Sequence, residues 1–213
     1  MTARSQTDAL IQELSTRLIA GATATETLVA WCDEHGLSQG PISVECNQRH
    51  VLSAMPDNIS AALALAAGEI IHFRQVRIVR GPLPLARAEN WFVPQRLAAG
   101  MKDVLQTTNV PFGIVVAPLR PARRTLVAHV RPLTADPSED PLRLSGPARQ
   151  YQPDIILEHT AVICSGTGTA LALVKEQFFS DLVSFAAERP SVSRVLEGSS
   201  QAASAPQNVG LER

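Results

Sequence analysis

The stretch from Ile70 to Val93 constrains the fold more than any other part of the chain. Two β-rich runs, residues 70–79 and 85–93, are separated by a turn at residues 81–84 that is too short for a crossover. Strands joined so closely pair antiparallel. Residues 42–52, 124–131 and 154–164 have the same strand character, and no internal repeat is present. An antiparallel sheet with helices on one side or at its ends is the expected α+β architecture, not a doubly wound α/β fold.

Helical periodicity runs through residues 8–34 with a break at Gly21, and Thr25 is the expected N-cap of the second segment. Shorter helices are expected at residues 59–67 and 98–106. Residues 107–113 carry strong turn chemistry, and a strand is expected to begin at residues 113–116. Residues 171–188 read as strand at first and as helix from about Val174. Residues 132–153, rich in Pro, Asp, Ser and Arg, read as a surface excursion. The expected domain spans residues 1–189, and residues 190–213, where Ser, Ala, Gln and Gly dominate, are expected to be a disordered tail.

Composition sets the outer limits. An apolar fraction of 45% over 213 residues is enough for a core, and a net charge of -1 argues against a nucleic-acid binder. Cys32, Cys46 and Cys164 are far apart and in no metal-ligand spacing, which suits reduced thiols in a cytoplasmic protein. Residues 1–11 lack the apolar stretch of a secretory signal, and the longest apolar run, residues 61–67, is too short for a membrane span.

The informative residues are charges among apolar strand neighbours. Alternation puts Arg74 on a face with Val76 and Ile78, and Glu158 on a face with Ile156 and Val162. An ionised group held there needs a partner, because desolvating it alone costs several kcal/mol. Two readings stay open on the pattern alone: a buried ion pair between or near these residues, or a cavity in which Arg74 grips a carboxylate and Glu158 faces a hydroxyl. In Val110-Pro111-Phe112-Gly113 the proline fixes a turn and the glycine admits close approach, so the Phe112 and Gly113 amides can donate to an anion.

At these residues the chain resembles the chorismate lyase family. The stretches that carry the resemblance are Phe73-Arg74-Gln75-Val76-Arg77-Ile78, Ala88-Glu89-Asn90-Trp91-Phe92-Val93-Pro94, Val110-Pro111-Phe112-Gly113 and Ile156-Leu157-Glu158-His159. Their order and spacing match from about residue 23 to residue 164, and each motif is short, so the ordered set carries the weight. The resemblance implies a six-stranded antiparallel sheet with flanking helices around a buried ligand cavity. It implies that Arg74 holds the ring carboxylate of chorismate or 4-hydroxybenzoate, helped by backbone amides at Phe112 and near Ala24, with Glu158 at the other end of the ring. Two departures stand out: Ile114 where the family commonly has an arginine, and Phe112 in place of a smaller aliphatic.

The activity so implied is conversion of chorismate to 4-hydroxybenzoate and pyruvate for quinone biosynthesis, with Arg74 and Glu158 as catalytic residues. No redox change occurs, so neither a nicotinamide nor a flavin cofactor is expected, and the chain has no glycine-rich dinucleotide fingerprint. Metal is not expected either, since His159 falls on the face opposite Glu158 and His129 adds no ligand spacing. Arg123 and Arg124 are expected at the surface, with help for an anion entering the cavity as the alternative. The alternative is a non-catalytic binder or sensor of a small aromatic carboxylate on the same fold, which also serves as the effector domain of some bacterial transcription regulators. Residues 1–34 are too few for a DNA-binding domain, which counts against a regulator. Neither nucleic acid nor membrane is an expected partner, and the oligomeric state is left open.

Overall fold

The computed structural model describes residues 3–54, 56–131 and 154–186; the expected excursion and tail lie outside the described residues. The helices α1 (Ala3–Ala20) and α2 (Ala24–His35) precede strand β1 (Ile42–Val51) and helix α3 (Asp57–Leu63). The hairpin β2 (His72–Arg80) and β3 (Leu83–Phe92) follows, then the short helices α4 (Met101–Thr107) and α5 (Phe112–Val116). Strands β4 (Ala122–Val130), β5 (Ile155–Cys164) and β6 (Ala170–Phe179) complete the sheet, and a 3-10 helix covers Ser180–Ala186.

The six strands form one sheet in the order β1-β2-β3-β6-β5-β4, every neighbouring pair antiparallel. The expected α+β class and antiparallel sheet with flanking helices are therefore what is observed. Helices α1 and α2 cover one face: Leu14, Leu18, Leu28 and Trp31 pack on Val76, Ile78, Ala88, Leu157 and Phe178. Toward one end of that inner face, α4 and α5 bury Leu105, Phe112 and Val116 against Phe92, Ala161 and Val174. Among the described residues the outer face is covered only in part, where Ile59 and Leu63 of α3 meet Val162 and Leu173.

Three local expectations are corrected. The N-cap of α2 is Thr23, not Thr25: Thr23 is extended, with φ -140 and ψ 151, and its side chain accepts from the Glu26 amide. Residues 112–116 are helical rather than a new strand. Pro111 sits at the N-cap with φ -60, and the next turn buries Phe112, Val115 and Val116, so packing overrides the β preference of Ile114-Val115-Val116. Strand β6 continues to Phe179 instead of turning helical at Val174. Leu171 to Val174 are all buried because both faces of this central strand are covered there, and a continuous apolar run hides the alternation.

The Trp31 indole nitrogen donates to the Leu182 carbonyl at 2.8 Å, tying α2 to the 3-10 helix. Trp31→Phe keeps most of the apolar volume but leaves that buried carbonyl unpaired. It should lower stability by about 1–3 kcal/mol, read as a drop in the urea midpoint.

Candidate functional site

The N-termini of α2 and α5 meet over the inner face of the sheet. Gly113 is what lets them touch: a Cβ there would lie 2.9 Å from the Thr23 Cβ and 3.1 Å from the Thr25 hydroxyl. The intrahelical ladder of α2 begins with the Thr27 amide on the Thr23 carbonyl, and that of α5 with the Ile114 and Val115 amides on Pro111. The amides of Ala24 and Thr25, and those of Phe112 and Gly113, precede both ladders. The dipole of the 12-residue α2 adds partial positive charge at the same place.

Beneath this junction lies a cavity. Thr23, Ala24, Thr25, Phe112 and Gly113 form one side of it, Val76, Ile78, Ala88 and Val174 an aliphatic floor, and Asn90, Arg123 and Glu176 its polar groups. Its free volume is about 30 Å³, room for a water or two with the helices closed. An Arg123 Nη atom donates to the Glu176 carboxylate at 2.7 Å, and the arginine side chain is 0% exposed. Its Nε and other Nη atom have no partner among the described residues.

His159 stands directly across the strand pair from Glu176. It is fully buried, with Nε2 3.2 Å from the Ser15 hydroxyl of α1 and Nδ1 unpartnered among the described residues. Desolvation, with Arg123 adding to it, pushes its pKa down from 6.5 to about 4. The inner face thus holds an ion-paired arginine and glutamate in the lining of a mostly apolar cavity, with a buried neutral imidazole beside Glu176 and outside that lining.

Of the residues read from the sequence, Ala24, Phe112 and Gly113 come together at this cavity. Arg74 and Glu158 do not. Arg74 pairs in register with Asn90, Asn90 with Val174 and Val174 with Ala161, so Arg74 shares the inner face with Ala161. Glu158, three residues from Ala161, points to the outer face, where it is half-buried and ion-paired with the exposed Arg131. One ligand cannot span the two. The expectation fails because β5 is apolar on both sides: Leu157, Ala161 and Ile163 face α1, α4 and α5, while Val162 faces α3.

Arg74 is buried at 1% exposure, yet its guanidinium donates at 3.0 Å to the carbonyls of Thr108 and Val110. Burial lowers its pKa, while the neighbouring Cys46 acts the other way. Its place is under the turn that leads into α5 and outside the lining of the cavity.

The sequence reading missed Glu176 and put Arg123 at the surface. A signal for Glu176 existed: extended as a strand, residues 172, 174, 176 and 178 form one face, on which Glu176 is the sole charge. For Arg123 the strand pattern gave none, since β4 reads as an exposed edge strand and only the packed structure puts Arg123 in one cavity lining with Thr23 and Phe112. Among the described residues no cluster of His, Cys, Asp and Glu could hold a metal, and no helix is long and apolar enough to cross a membrane.

No family model matches the chain. The uncharacterized protein y4mC of Sinorhizobium fredii is 35% identical over 187 residues, covering 84% of this chain and 77% of its own. Among solved structures, the effector domain of PhnF from Mycobacterium smegmatis is 14% identical with a TM-score of 0.49, over 76% of this chain and 91% of that one. A GntR-family transcriptional regulator from Bacillus cereus is 12% identical with a TM-score of 0.40, over 66% and 92%.

Two outcomes follow from this geometry. Gly113→Ala forces α5 away from Thr23 and Thr25, and should cost about 1–3 kcal/mol in chemical denaturation. His159 takes a proton at 6.5 when unfolded but only near 4 when folded. The unfolded chain therefore binds more protons in that window, and stability falls as pH drops from about 6.5 to about 4. His159→Asn should remove up to about 3 kcal/mol of that loss, seen by comparing denaturation midpoints of both proteins at the two ends of the window.

Proposed function

The chain belongs to the same family as protein y4mC of Sinorhizobium fredii, and we propose that it binds a small aromatic carboxylate, of the class of 4-hydroxybenzoate or chorismate, in the inner-face cavity. The observation that carries this reading is the pairing of two kinds of group at opposite sides of an aliphatic floor. On one side are the amides of Ala24, Phe112 and Gly113 at the positive end of α2. On the other are Glu176 and Arg123, the latter with its Nε and one Nη atom unpaired among the described residues.

In this reading the ligand carboxylate meets the helix N-termini, the ring lies over Val76, Ile78 and Val174, and a ring hydroxyl meets Glu176. Arg74 is a positioning residue that holds the turn before Phe112. The closed cavity is too small for a ring, so α5 swings away from α2 to admit the ligand, and the contact that parts is Gly113 against Thr23 and Thr25. A non-catalytic binder or sensor needs nothing more than this.

A second reading, chorismate pyruvate-lyase activity, is favoured by the carboxylate of Glu176 inside the cavity. Glu176 would take the proton from the ring carbon that bears the hydroxyl as the enolpyruvyl carbon–oxygen bond breaks. The ring becomes aromatic and the released enol becomes pyruvate. No electron acceptor is consumed.

Calorimetry with 4-hydroxybenzoate and an assay for pyruvate from chorismate test both. Binding at one site per chain is expected, weakened about 10-fold or more in Arg123→Gln and unchanged in Glu158→Gln. Pyruvate release that disappears in Glu176→Gln would establish the second reading over the first. Absence of binding by either compound would sink both.

A further inference from the structure

A second pocket opens beside the first, and its chemistry is different. It is lined by Arg49, His72, Arg74, Phe92, Leu105 and Gln106, with a free volume of about 150 Å³. Phe92 and Phe112, with ring centroids 6.0 Å apart, separate it from the cavity under α2 and α5. Arg49 and Arg74 are direct partners across β1 and β2, so two guanidiniums sit side by side on one face. Like charges so placed repel.

What faces them is a carbonyl, not a carboxylate. The Thr108 carbonyl accepts from Arg49 at 2.6 Å and from Arg74 at 3.0 Å. The pocket lining contains no Asp or Glu, and Lys102 adds a third cation near His72. Among the described residues, two nitrogens of these buried side chains have no partner: Nε of Arg74, a residue 1% exposed, and Nε2 of His72, 4% exposed. His72 Nδ1 is already engaged by Gln106 at 2.8 Å, so its orientation is set.

We propose that this pocket is a second anion site that takes a phosphoryl dianion, separate from the cavity assigned above. Two guanidiniums and a nearby ammonium present more positive charge than one carboxylate neutralises, and the imidazole of His72 adds an N–H donor. A phosphate group carries between one and two negative charges at neutral pH and several strong acceptor oxygens. Phe92 and Leu105 give the apolar wall against which the organic part of a phosphate monoester packs. The same chemistry comes from free phosphate or from such an ester, and inorganic phosphate and phenyl phosphate distinguish them.

The test is calorimetric titration of the full chain with each probe in chloride buffer, for the wild type, Arg49→Gln and Arg123→Gln. Arg49 lies exposed on the edge strand, so its replacement leaves the core intact, whereas Arg74→Gln risks unfolding. One equivalent of probe is expected to bind, about 10-fold more weakly in Arg49→Gln and equally well in Arg123→Gln. Phenyl phosphate binding more tightly than phosphate assigns the site to an ester; equal affinity assigns it to the free ion. No heat with either probe up to millimolar concentration overturns the proposal. So does binding that Arg123→Gln abolishes and Arg49→Gln leaves unchanged, which would put the anion in the other cavity. Because 4-hydroxybenzoate is read out separately, failure here leaves the assignment of the first cavity standing.

Discussion

The guanidinium of Arg74, buried beneath the turn at Thr108 and Val110, organises the functional end of the sheet. Among the described residues it reaches no carboxylate; two backbone carbonyls accept from it instead. Removing a cation from water costs several kcal/mol, and hydrogen bonds to carbonyls offset that only in part. The arrangement persists because Arg74 satisfies the Val110 carbonyl and shares the Thr108 carbonyl with Arg49, in a turn between two short helices. That turn sets where Pro111 stands, and Pro111 starts α5. The amides of Phe112 and Gly113 are therefore aimed by a residue that takes no part in lining their cavity.

The sheet sorts its charges by face. Arg123 and Glu176 are paired on the inner face, under the helices and away from water. Glu158 and Arg131 are paired on the outer face, with the arginine largely in solvent. A buried pair of the first kind is held by geometry, and losing one partner leaves an uncompensated charge. An exposed pair of the second kind contributes little. Only the inner pair therefore has the leverage to discriminate a ligand, because only there does a polar contact act without competition from water.

Much of the architecture was legible because it depends on local pattern. The hairpin of β2 and β3 is written in two β-rich runs and a short turn, and the helices α1 and α2 in their period and the break at Gly21. The candidate site was legible on the loop side only. Ala24, Phe112 and Gly113 belong to turns whose chemistry is local, and they do meet at one cavity. The strand side was misread because two-sided burial makes β5 and β6 apolar on both faces, so period two gives no direction. Glu158 was thus taken for an inward residue, and Glu176 was lost in an apparent helix.

The sequence by itself determined the antiparallel α+β class, the turn at residues 107–113 and the presence of charges that apolar strands must accommodate. Those are consequences of backbone sterics and side-chain period, which act over a few residues. Only the tertiary structure decided which charge faces which chamber. That choice depends on strand order and register, and on which face α1, α2 and α5 cover as against α3. It brought Arg123 and Glu176 together from β4 and β6, with β5 between them. No stretch of contiguous residues contains that pairing, because burial is a property of the packed layers and not of any one strand.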